Sequence, residues 1–173
     1  QRWQASAMHP QLGRRFVDLV FQPQLELLDY LRASAFKCFI VTGGGVLVIN
    51  TGPSKRYGEQ LRALIARTTP EPVAQVLHLN LHPDYFLGNQ AFADVPRRAT
   101  AATRAGMLRE ARSYEDNLYR LCGDWMKGTQ ALLPQQDVAP GALRIGAREF
   151  ELRELAGHTS SDLVLIDKTS GVI

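Results

Sequence analysis

His78-Leu79-Asn80-Leu81-His82-Pro83-Asp84-Tyr85-Phe86-Leu87-Gly88-Asn89 is the stretch on which the reading of this chain turns. Its twelve residues hold two histidines, an aspartate, a tyrosine and two asparagines, directly after the apolar run VAQVL. Side chains two apart on an extended segment point to the same side, so His78, Asn80, His82 and Asp84 can share one face of a strand and its exit loop. Imidazole and carboxylate are the donors that zinc and iron use, which makes this strand end a candidate metal site.

Working outward, the residues before it order themselves into strand, helix, strand. FKCFIVT, Gly43 to Gly45 and VLVIN read as a β-hairpin whose turn uses glycine for positive φ. Ser54 stands as an N-cap before KRYGEQLRALIART, where Tyr57, Leu61, Leu64 and Ile65 recur at helical spacing and predict one buried face. After TTPEP, VAQVLHLN reads as a short buried strand. A crossover unit in a layered α/β fold follows, with His82 and Asp84 just past a strand's C-terminal end, where open α/β sheets place ligands.

Beyond the stretch, FLGNQAFAD predicts a short helix and RRATAAT a further strand. Residues 103 to 126 carry Met107, Ala111, Tyr114, Leu118, Leu121, Cys122 and Trp125 at spacings that predict a long amphipathic helix with this stripe in the core. Segment 129 to 141 reads as a surface connection. Three strands follow, ALRI, EFELREL and DLVLID, the last after the loop GHTSS, and Val172 and Ile173 read as the start of another strand. Residues 1 to 35 form a separate segment with one strand-like and one helix-like piece and no assigned chemistry, and His9 within it reads as a surface residue.

Composition narrows the function classes. Twenty Lys and Arg against seventeen Asp and Glu in 173 residues leave a small positive excess with no dense basic block, which disfavours nucleic acid as a partner. No apolar stretch is long enough to span a bilayer. Cys38 and Cys122 form no CxxC pair and read as buried thiols.

VINTGPS at 48 to 54, LNLHPDYFLGN at 79 to 89 and LAGHTSSDLVLID at 155 to 167, in this order, resemble the metallo-β-lactamase superfamily over roughly residues 36 to 173. Its landmarks are an aspartate-threonine-glycine turn after a strand, an HxHxDH loop and a Gly-His-Thr loop. The wording looks most like the quinoprotein relay system zinc metallohydrolases, a SoxH-related group. The resemblance implies an α/β αββα sandwich, here truncated at its C-terminus, zinc as cofactor and a small-molecule substrate. It also implies a periplasmic setting in a bacterium. Carried over by position, His82, Asp84 and His158 are the metal ligands, and Asp84 is also the catalytic candidate. A divalent metal in such a site lowers the pKa of bound water and yields hydroxide for attack on an ester, thioester or amide-type carbonyl.

Three positions depart from the pattern. Asn80 and Tyr85 stand where the loop's outer histidines belong, and Asn50 replaces the aspartate of the turn. A neutral amide is a poor zinc ligand beside imidazole, and a phenol must first lose a proton of pKa about 10. The expectation is a one-metal or degenerate site, with zinc in one copy or none and iron less favoured, and with the family's last aspartate and histidine falling beyond Ile173.

Each residue also has a plainer reading. His82 and His158 can be hydrogen-bonded histidines lining an empty cleft, and Asp84 can be a turn or cap residue. His78 reads as an interior strand histidine, Tyr85 as a packing aromatic, and Asn50 as a pin for its turn. The alternative to a hydrolase is therefore a non-catalytic binding protein that retains fold and cleft without metal. A strand edge at the chain's end further suggests a homo-oligomer.

Overall fold

The computed structural model describes residues 39 to 173. The readings made on residues 1 to 35, together with Cys38, lie outside the described residues. Strands β1 (Phe39–Val41) and β2 (Val46–Ile49) pair antiparallel around the glycine turn, as the sequence predicts. Glu71 accepts hydrogen bonds from the amides of Gly43 (3.1 Å) and Gly45 (2.8 Å) and so fixes the turn from outside.

Helix α1 (Lys55–Thr68) starts where Ser54 accepts from the Tyr57 amide at 3.2 Å, a cap that contributes about 1 kcal/mol. It leads to β3 (Val73–Leu77), parallel to β2. Leu61 and Ile65 of α1 are buried, but Tyr57 and Leu64 are exposed, so the buried face is narrower than the periodicity implies. Tyr57 has another use. Its ring covers Gly52, where an added Cβ would lie 1.9 Å from Cδ1 of the tyrosine.

The next segment departs from the sequence reading. A one-turn helix α2 (Pro83–Phe86) precedes a 3-10 turn at Asn89–Phe92, in place of one short helix over FLGNQAFAD. RRATAAT splits: only β4 (Arg97–Ala99) is strand, because the Thr100 hydroxyl accepts from the Thr103 amide at 3.1 Å and starts helix α3 (Ala101–Cys122). Beyond α3, a 3-10 turn covers Gly123–Met126. The connection from 129 onward contributes β5 (Gln136–Asp137), parallel to β4. Strands β6 (Gly141–Ile145), β7 (Arg148–Leu155) and β8 (Asp162–Asp167) form an antiparallel sheet in the predicted places.

The first sheet therefore runs β1-β2-β3-β4-β5 and the second β6-β7-β8. Alternation along β2 builds both layers of core at once. Val46 and Val48 face α1 and join Leu61, Ile65, Val76 and Phe92. Leu47 faces the other way and joins Leu77, Ile145, Phe150, Leu152 and Leu163 between the two sheets. Helix, sheet and sheet are thus stacked layers, the order of an αββα sandwich. A third cluster, Phe86, Leu87, Met107 and Met126, seats α2 against α3.

Two expectations for the α3 region fail. Met107 is fully buried, and Tyr114 and Leu118 pack partly against its cluster, but Leu121 and Trp125 are 79% and 58% exposed and Cys122 is exposed as well. The stripe continues past the neighbours that cover it. Trp125 instead lies under the Arg56 guanidinium at 4.3 Å, a cation–π contact on the surface. At the other end, Gly171 to Ile173 form no strand; Val172 accepts from the Asp167 amide at 2.8 Å, closing a turn. Among the described residues, β8 is an edge strand of its sheet, as is β6. No helix among the described residues is long and apolar enough to cross a membrane.

Candidate functional site

Three backbone segments meet at one end of the stacked sheets: the turn after β2, the loop after β3 and the loop between β7 and β8. Asn50 opens the first with φ +56°, a left-handed conformation that asparagine tolerates better than most residues. Its amide donates to Leu77 O at 2.9 Å, and its side-chain oxygen accepts from the Leu79 amide at 3.0 Å. Asn50 thus pins the turn to the histidine loop, the structural use its sequence suggests.

Thr51 and Gly52 tie down the rest of the loop. The Thr51 amide donates to Tyr85 O at 2.7 Å, and its hydroxyl donates to the Asn89 side chain at 2.8 Å. The Gly88 amide donates to Gly52 O at 3.0 Å, and an added Cβ at Gly88 would lie 2.1 Å from Thr51 O. Only glycine permits that approach.

Within the loop, the two departures from the resemblance have definite places. Asn80 is buried, and its side-chain oxygen accepts from the His82 amide at 3.0 Å, an Asx turn that bends the chain into α2. Tyr85 is half-buried, and its carbonyl is the receiving end of the Thr51 bond. His78 lies one residue past β3 and is fully buried, with Nδ1 3.2 Å from Tyr85 O and Nε2 without a hydrogen-bond partner. Burial holds its pKa down to about 3; the bond to Tyr85 O opposes this, and the charge of Arg97 adds to it. His78 is a neutral interior histidine, and the ring nitrogen that meets Tyr85 O is committed there as donor.

His82 occupies the N-cap position of α2 without a side-chain cap bond, and Pro83 follows at the first helical position. Its imidazole is half-buried and turned toward the third loop. There the His82 and His158 rings lie with centroids 4.5 Å apart and planes inclined by 37°. Residues 76 apart in sequence are thereby in contact at the mouth of the sheets.

The loop that carries His158 is folded on itself. The Gly157 amide donates to Thr159 O at 3.1 Å, and Asp162 accepts from the Thr159 amide and hydroxyl, each at 2.8 Å. Burial raises the Asp162 pKa, but those bonds, a backbone bond from His158 and the His158 ring outweigh it and leave the carboxyl below its ordinary value. Ser161 is buried behind the loop, in contact with Thr100 and Thr103 of α3 and with Glu154 of β7. The sequence marks none of these four residues as functional: Thr100 falls in a stretch read as strand, and Ser161 is read only as part of the loop after β7.

Asp84 lies on the exposed first turn of α2. Among the described residues no group of three or more His, Cys, Asp or Glu is placed to hold a metal ion, so Asp84 is not brought into a common cluster with His82 and His158. Zinc sites use three or four protein ligands. Two imidazoles do not complete one, and the described residues alone do not fit zinc.

No family model and no curated protein sequence matches the chain. Solved structures do match. A metallo-β-lactamase from Pontibacter korlensis superposes at TM-score 0.56 and 20% identity over 76% of this chain and 54% of its own. A β-lactamase domain protein from Burkholderia ambifaria gives 0.54 and 21%, over 73% and 41%. The metallo-β-lactamase IND-7 gives 0.56 and 22%, over 76% and 53%. The fold is that of the metallo-β-lactamases. Within the metallo-β-lactamase fold, this chain spans about half the length of the structures it matches.

Proposed function

We propose that the protein is a metallo-β-lactamase-fold hydrolase with an altered site, centred on His82 and His158 and acting on an ester, thioester or amide-type bond. The observation that carries this reading is the contact of the two imidazoles at the end of the sheets, 4.5 Å between centroids, with His158 exposed to solvent. Histidine is the side chain most used to move protons in hydrolysis. One imidazole of the pair takes a proton from water as its oxygen attacks the substrate carbonyl. The tetrahedral adduct then collapses as the imidazolium returns that proton to the departing oxygen, sulfur or nitrogen, which leaves as alcohol, thiol or amine. Asp84, exposed on the adjoining turn, is the second candidate base.

With this reading go zinc in one copy or none and the periplasmic, quinoprotein-related assignment, both resting on the sequence resemblance. The second reading, a binding protein without catalysis, is favoured by Asn50 and Asn80. Both spend their side-chain oxygens on backbone amides, so neither is poised for chemistry.

A panel of ester, thioester and amide substrates separates the two. The hydrolase reading expects turnover of at least one class and a loss of about 100-fold or more in His82→Ala and His158→Ala, the scale of a lost proton-transfer group. Hydrolysis unchanged in both variants would refute it. No turnover of any class, with retained binding of the same small molecules, would transfer the assignment to the binding protein.

A further inference from the structure

The contact of His82 with His158 is made by two loops that share no hydrogen bond through either ring, so something behind them sets their spacing. One tie is the Leu163 amide, which donates to Leu79 O at 2.7 Å and joins the start of β8 to the chain just before Asn80. The other lies in a buried run of hydroxyls. Ser161 Oγ is 2.6 Å from Thr100 Oγ1, 2.6 Å from Glu154 Oε1 and 3.3 Å from Thr103 Oγ1.

Donor and acceptor counting orders this run. A carboxylate only accepts, so the single Ser161 hydrogen goes to Glu154. Ser161 Oγ must then accept from its neighbours, and Thr100 donates to it. The remaining acceptor capacity of Thr100 receives the Thr103 amide at 3.1 Å, and the Thr103 hydroxyl reaches Ser161 O at 3.1 Å. The relay therefore runs in one direction, from the first turn of α3 through Ser161 to an anion on β7. Hydrogen bonds ending on a charged group are the stronger kind, and aligned ones reinforce each other.

We propose that Ser161 is a positioning residue that sets the His158 loop against His82, held by Thr100 on one side and by Glu154 on the other. Its amide also donates to Thr159 Oγ1 at 3.2 Å, so a shift of Ser161 passes directly into the turn that presents His158. The inference rests on the histidine pair as the centre of the proposed site.

The test is an inter-ring nuclear Overhauser cross-peak between the imidazole protons of His82 and His158, measured in protein labelled at histidine. The wild type is expected to show it. Ser161→Ala and Glu154→Leu are expected to lose it while keeping the amide shifts of β6 to β8, and Glu154→Gln, which keeps a side-chain oxygen acceptor, is expected to restore it. Because Glu154 is exposed, its variants remain informative should Ser161→Ala fail to fold. A cross-peak retained in either folded loss variant would overturn the positioning role alone. A wild type without it would overturn the histidine pair itself. The readout does not depend on catalysis, so a wild type that hydrolyses nothing defeats the reaction and not this role.

Discussion

At the residue scale, His78 shows how much the fold commits to keeping this region neutral. Its pKa falls from 6.5 to about 3 on folding, chiefly because the ring is buried. Between those values the unfolded chain holds one more proton than the folded one. Stability from this source is therefore complete above pH 6.5 and is lost as pH falls toward 3, at about 1.4 kcal/mol per unit. Asp162 and Asp167, whose pKa values are lowered from 3.8, lose their contribution only in a more acidic window. Urea melts at pH 7 and pH 5 are thus expected to differ by about 2 kcal/mol in the wild type. The difference should shrink in His78→Gln, whose amide can still donate to Tyr85 O. An equal difference in both proteins would contradict the assignment. Sequence alone marks His78 as an interior histidine and Asn50 as a pin, because each follows an apolar strand. It does not reveal the Asn80 bond to the His82 amide, since an Asx turn and a lost ligand look alike in a string of residues.

At the element scale, α3 separates what periodicity encodes from what it leaves open. A stripe of Met107, Tyr114, Leu118, Leu121 and Trp125 tells which face of the helix is apolar. It does not tell how far the covering neighbours reach. Phe86, Leu87 and Met126 cover the stripe around Met107, while Leu121 stands 79% exposed. Met107→Ala is accordingly expected to cost 2–5 kcal/mol, the range for a buried large-to-small change, and Leu121→Gln to stay within about 0.5 kcal/mol. Denaturant midpoints decide it, and equal losses at both positions would restore the fully buried helix. The same limit explains RRATAAT. Its β-branched residues suggest strand, but a threonine hydroxyl that caps a helix outweighs a weak strand propensity. Strands β6 to β8 are legible because their turns and alternation agree.

At the scale of the whole molecule, the stack of helix, sheet and sheet carries two loops, 76 positions apart in sequence, to one mouth and leaves their imidazoles in contact. The three motif stretches are in register in the sequence, so the fold and the places of His82 and His158 are legible there. Their spacing is not, because it depends on which atoms of Leu163, Ser161 and α3 meet, and a motif stretch does not display those contacts. Asp84, grouped with them by the resemblance, faces solvent on its own turn. The proposed function centres on an altered site at the His82 and His158 pair. Elemental analysis after zinc loading and desalting tests it most directly, on the wild type, His82→Ala and His158→Ala. No more than one equivalent of zinc in the wild type, with any bound zinc lost in both variants, is the predicted result. Two equivalents in the wild type, or zinc retained in both variants, would contradict it.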